Sequence, residues 1–133
     1  MKIATKTRYG LRFMIDLAQH WGQGPVPMRE IAQRQEVSKK YLEQVAAPLQ
    51  TQGLICVSRG HTGGYELSRP PENITMADIM SATEGGLGIL DCLDDSLVCS
   101  RADSCLSIKA WSGLQKSMIE YLASQNLKDL AAG

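Results

Sequence analysis

The sequence contains no stretch approaching the roughly 18 to 20 uninterrupted apolar residues that a membrane-spanning helix needs, so no such helix is expected. Its opening, MKIATKTRYG, lacks an apolar centre followed by small residues at a cleavage site, so no secretory leader is expected; a cytoplasmic protein with reduced thiols follows. The chain also lacks the marks of an enzyme. It has no nucleophile with a plausible base, no paired carboxylates in a cleft-like setting, and no glycine loop followed by Lys and Ser or Thr. At 133 residues it is too short for two ordinary domains, and its 44% apolar and 21% charged content is that of one soluble globular unit.

Net charge is absent too, which taken alone argues against a nucleic-acid partner. The average hides an uneven distribution. Residues 1–71 hold ten of the fourteen Lys and Arg against five Asp and Glu, whereas residues 72–133 hold four against nine. A basic half of this size attracts phosphate backbone, although a solvated charged face has the same composition.

The N-terminal half reads as helix, helix, turn, helix, hairpin. A first helix is expected over Thr5 to Gln19, where Leu11, Met14, Ile15 and Ala18 form an apolar stripe. Gly22 and Gly24-Pro25 end it. A short second helix follows, with Pro27 in its first turn and Ile31 and Ala32 facing inward before the polar run Gln33 to Glu36. Val37 closes a tight turn, and Ser38 caps a third helix carrying Tyr41, Leu42, Val45 and Leu49 on one side. Pro48 predicts a bend or an end nearby. Helix, tight turn and helix in this order is a helix-turn-helix.

The third helix opens with Ser38, Lys39, Lys40 and Gln44 turned away from its apolar stripe. Lys and Gln can bond base edges in a major groove and Ser can bond phosphate; an ordinary solvated face would look the same. From Leu54 to Leu67, Ile55 and Val57 alternate with polar neighbours, RGHTGG intervenes, and Tyr65 and Leu67 resume the alternation. This is a β-hairpin with a glycine-rich tip, placed where a winged helix carries its wing. Gly60, Gly63 and Gly64 let the backbone approach DNA, or serve only the turn, and Arg59 reaches a phosphate or the minor groove. His61 fits a solvated or phosphate-contacting role better than a metal-ligating one, since no Cys or acidic residue is near it in sequence.

The chain resembles the bacterial winged-helix regulators of the IscR, NsrR, RirA and CymR type, the Rrf-two superfamily, over about residues 1–120. The matching segments are TKTRYGLRFMIDLA, IAQRQEVSKKYLEQV, GLICVSRGHTGGYEL and ITMADIMSATEG, with YLEQ and RG-x-x-GGY in order as the specific signature. The resemblance implies an α+β fold, mainly α with a small β-hairpin wing and a long C-terminal dimerisation helix. It implies a homodimeric repressor on a pseudo-palindromic operator, with Ser38, Tyr41, Gln44, Arg59, Gly60 and Gly64 near double-stranded DNA. Glu43 would tune base preference, because a carboxylate repels phosphate but accepts from cytosine.

Three of the four cysteines fall close together, with six residues between Cys92 and Cys99 and five between Cys99 and Cys105. In a reducing compartment such a cluster points to a metal or to redox chemistry. The spacings are looser than the CxxC pairs of structural zinc sites, so an iron-sulfur cluster suits them better, on a loop made pliable by Gly85, Gly86 and Gly88. Cluster-binding members of the resembling family carry three cysteines in this loop. Here the chain departs from its relatives: the position where several have a histidine is Ile108, and the position where others have an acidic residue, offered by the partner subunit, is Arg8. The fourth ligand, among Asp91, Asp103, Ser107, His20, water or a small thiol, stays open, as does a two-iron or four-iron cluster. The expected role is sensing iron, redox or nitric oxide state. The alternative is a cluster-free regulator of the CymR type, responding through thiol oxidation or a protein partner. Cys56, alone in a predicted strand, is expected to be a small buried hydrophobe.

Thr75 is expected to cap a helix with Met76, Ile79, Met80 and Thr83, packing the wing against the core. From Ser107 to Ser124, Trp111, Leu114, Met118 and Tyr121 make a stripe that is either internal core or a face for a second subunit. The tail, NLKDLAAG, forms one more short helix or frays. These readings divide the chain into a DNA-binding domain (1–84), a cysteine-bearing loop (85–106) and a dimerisation helix with its tail (107–133).

Overall fold

The computed structural model describes residues 2–95 and 97–133. Its elements are α1 (Thr5–Gln19), α2 (Met28–Gln35), α3 (Lys39–Thr51), β1 (Ile55–Ser58), β2 (Gly64–Leu67), a 3₁₀ turn (Pro71–Asn73), α4 (Met76–Glu84), α5 (Asp91–Asp94), α6 (Ile108–Ser124) and α7 (Leu127–Ala132). The fold is mainly helical, with one antiparallel hairpin that pairs Ile55 with Leu67 and Ser58 with Gly64.

Helix α1 is the axis of the domain, touching α2, α3, α4, α7 and β2. Its buried face is centred on Gly10, Phe13, Met14 and Leu17, so the stripe expected from Leu11, Ile15 and Ala18 is rotated and lies half-buried at the flank. The reason is the number of neighbours: Phe13 meets the Tyr65 ring edge-on at 5.7 Å from one side. On the other, Gly10 lets α4 approach so closely that an added Cβ would lie 3.1 Å from the Thr83 methyl.

Helices α2 and α3 bury Ile31 and Leu42, Val45, Ala46 and Leu49 against α1, and the turn between them depends on one backbone conformation. Glu36 caps α2 with φ 55°, ψ 45°, the left-handed conformation that favours glycine. Ser38 then accepts from the Tyr41 amide at 3.1 Å and starts α3. The bend or end expected at Pro48 comes one turn late, because α3 continues to Thr51 before Gly53 turns the chain at φ 74°. Pro48 removes only the bond to the carbonyl of Gln44, an exposed residue that water can serve.

Two further expectations are corrected. Cys56 is exposed, since the two-residue period of β1 puts Ile55 on the core side and Cys56 opposite Glu66 on the other face. Helix α4 is capped by Thr75 and Asp78 as a reciprocal capping box, but among the described residues its main packing partners are α1, α3 and α6 rather than the wing. The tail does not fray. Asn126 caps α7, Leu127 is fully buried, and its amide donates to Ile74 at 2.9 Å while the Met76 amide donates to Gln125 at 2.8 Å.

Candidate nucleic-acid interface and cysteine loop

The face that carries the helix-turn-helix is fixed by a polar cluster between α1 and α2. Asp16 is 1% exposed. It accepts from Arg34 Nε at 3.0 Å and Nη2 at 2.8 Å, and from Gln35 Nε2 at 3.0 Å. His20 Nδ1 donates to the Asp16 carbonyl at 2.7 Å. Asp16 holds the Arg34 guanidinium above its already high range, chiefly through these hydrogen bonds. Arg12 donates to Gln35 through its side-chain oxygen at 3.1 Å and through its backbone carbonyl. The same guanidinium lies 4.8 Å above the Tyr9 ring, which meets Tyr41 of α3 edge-on at 5.6 Å. The three helices are thereby locked in register. The sequence reading did not contain this cluster; its signal was an aspartate inside the apolar run FMIDLA.

Ser38, Lys39, Lys40 and Gln44 are exposed at the start of α3, while Tyr41 is half-buried against Tyr9. The positive end of the helix dipole adds to the two lysines. At the wing, Arg59, Gly60 and His61 are exposed, and Gly60 has φ 103°. Gly63 and Gly64 have a packing reason to be glycine. A Cβ on Gly63 would fall 2.2 Å from the Ser58 carbonyl, and one on Gly64 2.3 Å from that of Val26. Gly64 is buried there, beside the bridge between Val26 and Tyr65, so the exposed tip of the wing is Ser58 to Thr62. Helix start and wing converge on one cleft, bordered by Lys39, Glu43, Ser58, Gly60, Gly63 and Tyr65 and by the first turn of α2. Burial pushes the Tyr65 hydroxyl up, and the charge of Glu43 adds to it.

The cysteine segment, expected to be loop, includes a helical turn, α5. Cys92 lies on α5, half-buried, beside an open hollow formed with Ile108, Lys109 and Lys116 of α6. Cys99 and Cys105 are in the turns that follow, and all three are free thiols. Cys105 Sγ is 3.1 Å from Ser107 Oγ. Hydrogen bonds from Ser107 lower the Cys105 thiol below its ordinary value, with Arg101 adding its charge.

Three thiol donors are the right chemistry for iron. Their arrangement is another matter: among the described residues, no three His, Cys, Asp or Glu side chains are gathered so as to hold a metal. Of the candidate fourth ligands, Ser107 is the one whose side chain lies within hydrogen-bond distance of a cysteine of the set among the described residues. His20 is engaged by Asp16, and Arg8 turns back to donate to Thr5 at 3.3 Å. The donor set therefore fits a cluster in kind, and the loop would have to rearrange to present it.

The profile of the Rrf2 family, described as an iron-dependent transcriptional regulator, matches residues 3–133. The chain belongs to the Rrf2 family. It is 39% identical over 132 residues to the HTH-type transcriptional regulator CymR of Bacillus subtilis, covering 99% of this chain and 91% of that protein. Among solved structures, that of CymR, the global cysteine regulator of B. subtilis, superposes with a TM-score of 0.82 at 39% identity over 99% of this chain and 97% of that one. T. potens IscR gives 0.74 at 39% identity, over 98% of this chain and 85% of that one. This Rrf2-family protein is accordingly a DNA-binding transcriptional regulator and not an enzyme, with the winged-helix architecture of those neighbours.

Proposed function

We propose that the protein is a homodimeric repressor that lays α3 and the wing of each subunit on a half-site of a pseudo-palindromic operator, and that the state of Cys92, Cys99 and Cys105 sets how well the two units fit. Residues 1–84 supply the DNA-binding unit, 85–106 the sensing loop, and 107–133 the pairing segment. Ser38, Lys39, Lys40, Tyr41 and Gln44 face the groove, and Arg59 with Gly60 at the exposed tip of the wing meets the backbone beside it, Gly63 and Gly64 holding the wing in place behind them. The observation that carries the sensing role is that three thiols, none spent on a disulfide, stand on the segment that leads directly into α6. Pairing through α6 is supported by its face: Trp111, Leu114 and Tyr121 are all exposed in the single chain.

Cys92, Cys99 and Cys105 would hold an iron-sulfur cluster; when bound it supplies a link whose integrity depends on iron and oxidants. Ile108 leaves the fourth position without a side-chain ligand at that point in the sequence, which favours a cluster that is readily lost. Anaerobic reconstitution tests this reading. A brown dimer with near-stoichiometric iron and sulfide, and with operator affinity different from the colourless form, is expected; a protein that takes up no iron, or holo and apo forms of equal affinity, overturns it.

A second reading has its own observation. The lowered, half-buried Cys105 thiol is suited to direct oxidation, and a cluster-free thiol switch needs no gathered donor set. Operator release by peroxide in iron-free protein, abolished by Cys105→Ser, separates it from the cluster reading.

A further inference from the structure

Among the described residues, most of the basic side chains of 1–71 have no acidic partner, and those with a fixed engagement are informative. Arg34 is tied to Asp16 and Arg69 to Asp78, and Arg12 is drawn onto Tyr9 and Gln35. Arg29, in the first turn of α2, is different. Among the described residues it has neither an ion pair nor a side-chain hydrogen bond, because its neighbour Glu30 turns instead to Arg34 at 3.9 Å. Arg29 is exposed and borders the cleft of about 260 Å³ that α2 shares with Lys39 and with the wing at Ser58 and Gly60.

The wall on the α2 side has donors of its own. Helix α2 is eight residues long, and Pro27, at its N-cap, supplies no side-chain acceptor. The amides of Met28 and Arg29 have no acceptor among the described residues, as expected for the open first turn of a helix. Opposite them, the wing backbone at Gly60 and Gly63 offers no side-chain bulk, so an oxygen-rich anion has room to enter. Glu43 also borders the cleft and works against an anion, but it stands one helical turn beyond Lys39, toward Tyr65.

We propose that this cleft seats a backbone phosphate of the duplex, with Arg29 as its main cation and Lys39 as the second. The guanidinium can bond two phosphate oxygens at once, and the first turn of α2 contributes its amides and the positive end of its dipole. The phosphate contact fixes where α3 enters the groove without reading sequence. This rests on the placement of α3 and the wing against DNA proposed above.

The test uses the full-length dimer, fluorescence anisotropy on a random-sequence duplex and on a duplex selected from genomic fragments, and a titration of KCl. Each phosphate contact contributes about 0.9 to the slope of log affinity against log salt. Arg29→Ala is expected to lower the slope by about that much per subunit, and to weaken both duplexes by the same factor. Arg29→Lys should retain most of the slope, while Lys128→Ala, on the exposed side of α7, should leave it unchanged. Circular dichroism checks that each variant is folded, and Arg29→Gln serves if the alanine variant is not. A wild-type slope in Arg29→Ala, with Lys39→Ala lowered, overturns the phosphate seat and leaves the placement of α3 standing. Unchanged slopes in Lys39→Ala and Arg59→Ala as well would overturn that placement, and the seat with it.

Discussion

Asp16 of α1 receives both arms of the Arg34 guanidinium of α2, at 3.0 and 2.8 Å, from a position almost closed to water. The pair ties α2, the first helix of the helix-turn-helix, to α1. Replacing Asp16 with Ala removes the acceptor for three donors at once. Arg34 can turn to solvent, so the cost is below that of a fully buried pair, about 2–3 kcal/mol. Urea unfolding measures it; a loss under 0.5 kcal/mol would show that the cluster is ornamental to stability.

Glu36 holds a left-handed backbone conformation at the end of α2 without being glycine. Glu36→Gly removes the Cβ strain while giving the unfolded chain more freedom, and the net expectation is a gain of about 0.5–1 kcal/mol. A rise in the thermal midpoint with unchanged DNA affinity is the expected result, since the side chain is exposed and makes no hydrogen bond among the described residues.

Two wing glycines should respond differently to the same change. Gly64→Ala drives a methyl group into the Val26 backbone, which cannot move without breaking its bridge to Tyr65, so a loss of about 2–3 kcal/mol and a displaced wing are expected. Gly60→Ala meets no atom within 4 Å and has only its positive φ to contend with, about 1 kcal/mol. Unfolding curves of the two variants side by side check the order; the reverse order would refute the packing argument.

The Cys105 thiol is lowered by Ser107, so its thiolate is present at a pH where an ordinary cysteine is still protonated, and is lost as pH falls through the lowered value. Alkylation of metal-free, reduced protein with iodoacetamide, followed by peptide mass spectrometry, should show Cys105 half-reacting at a lower pH than a model cysteine peptide. Ser107→Ala should move that midpoint upward. An unmoved midpoint would mean that the contact at 3.1 Å does not control the thiol.

The legible parts of the fold were those with short-range causes. The bounds of α1 follow from its breakers, the start of α3 from the Ser38 cap, and the hairpin from alternation on either side of RGHTGG. The wrong centre of the α1 stripe has a longer-range cause: five elements surround that helix, and which of its apolar residues is deepest depends on where they dock. Asp16 and Arg34 lie eighteen residues apart, and only the angle between two helices makes them partners. Helix α7 is too short to be stable alone; its order comes from burying Leu127 under the 3₁₀ turn and α1, a contact invisible to any window of sequence. The three cysteines were legible as a spaced set of thiols, because spacing shows in the sequence, but their placement in space depends on a loop whose apolar side chains, among them Leu90, Leu97, Val98 and Leu106, are exposed and do not pack to organise it.

Helix α6 is unequally secured along its length. At its foot, the bonds from Met76 to Gln125 and from Leu127 to Ile74 rivet it to the domain, whereas among the described residues the loop of the three thiols is attached to it by α5 and, at mid-helix, by a bond from the Ile89 amide to Gln115 at 3.0 Å. Seventeen residues make a rod about 25 Å long. A rod clamped at one end turns a small push at the other into a tilt, and a second subunit docked on its outer side as proposed would be carried through the largest arc where Trp111 stands.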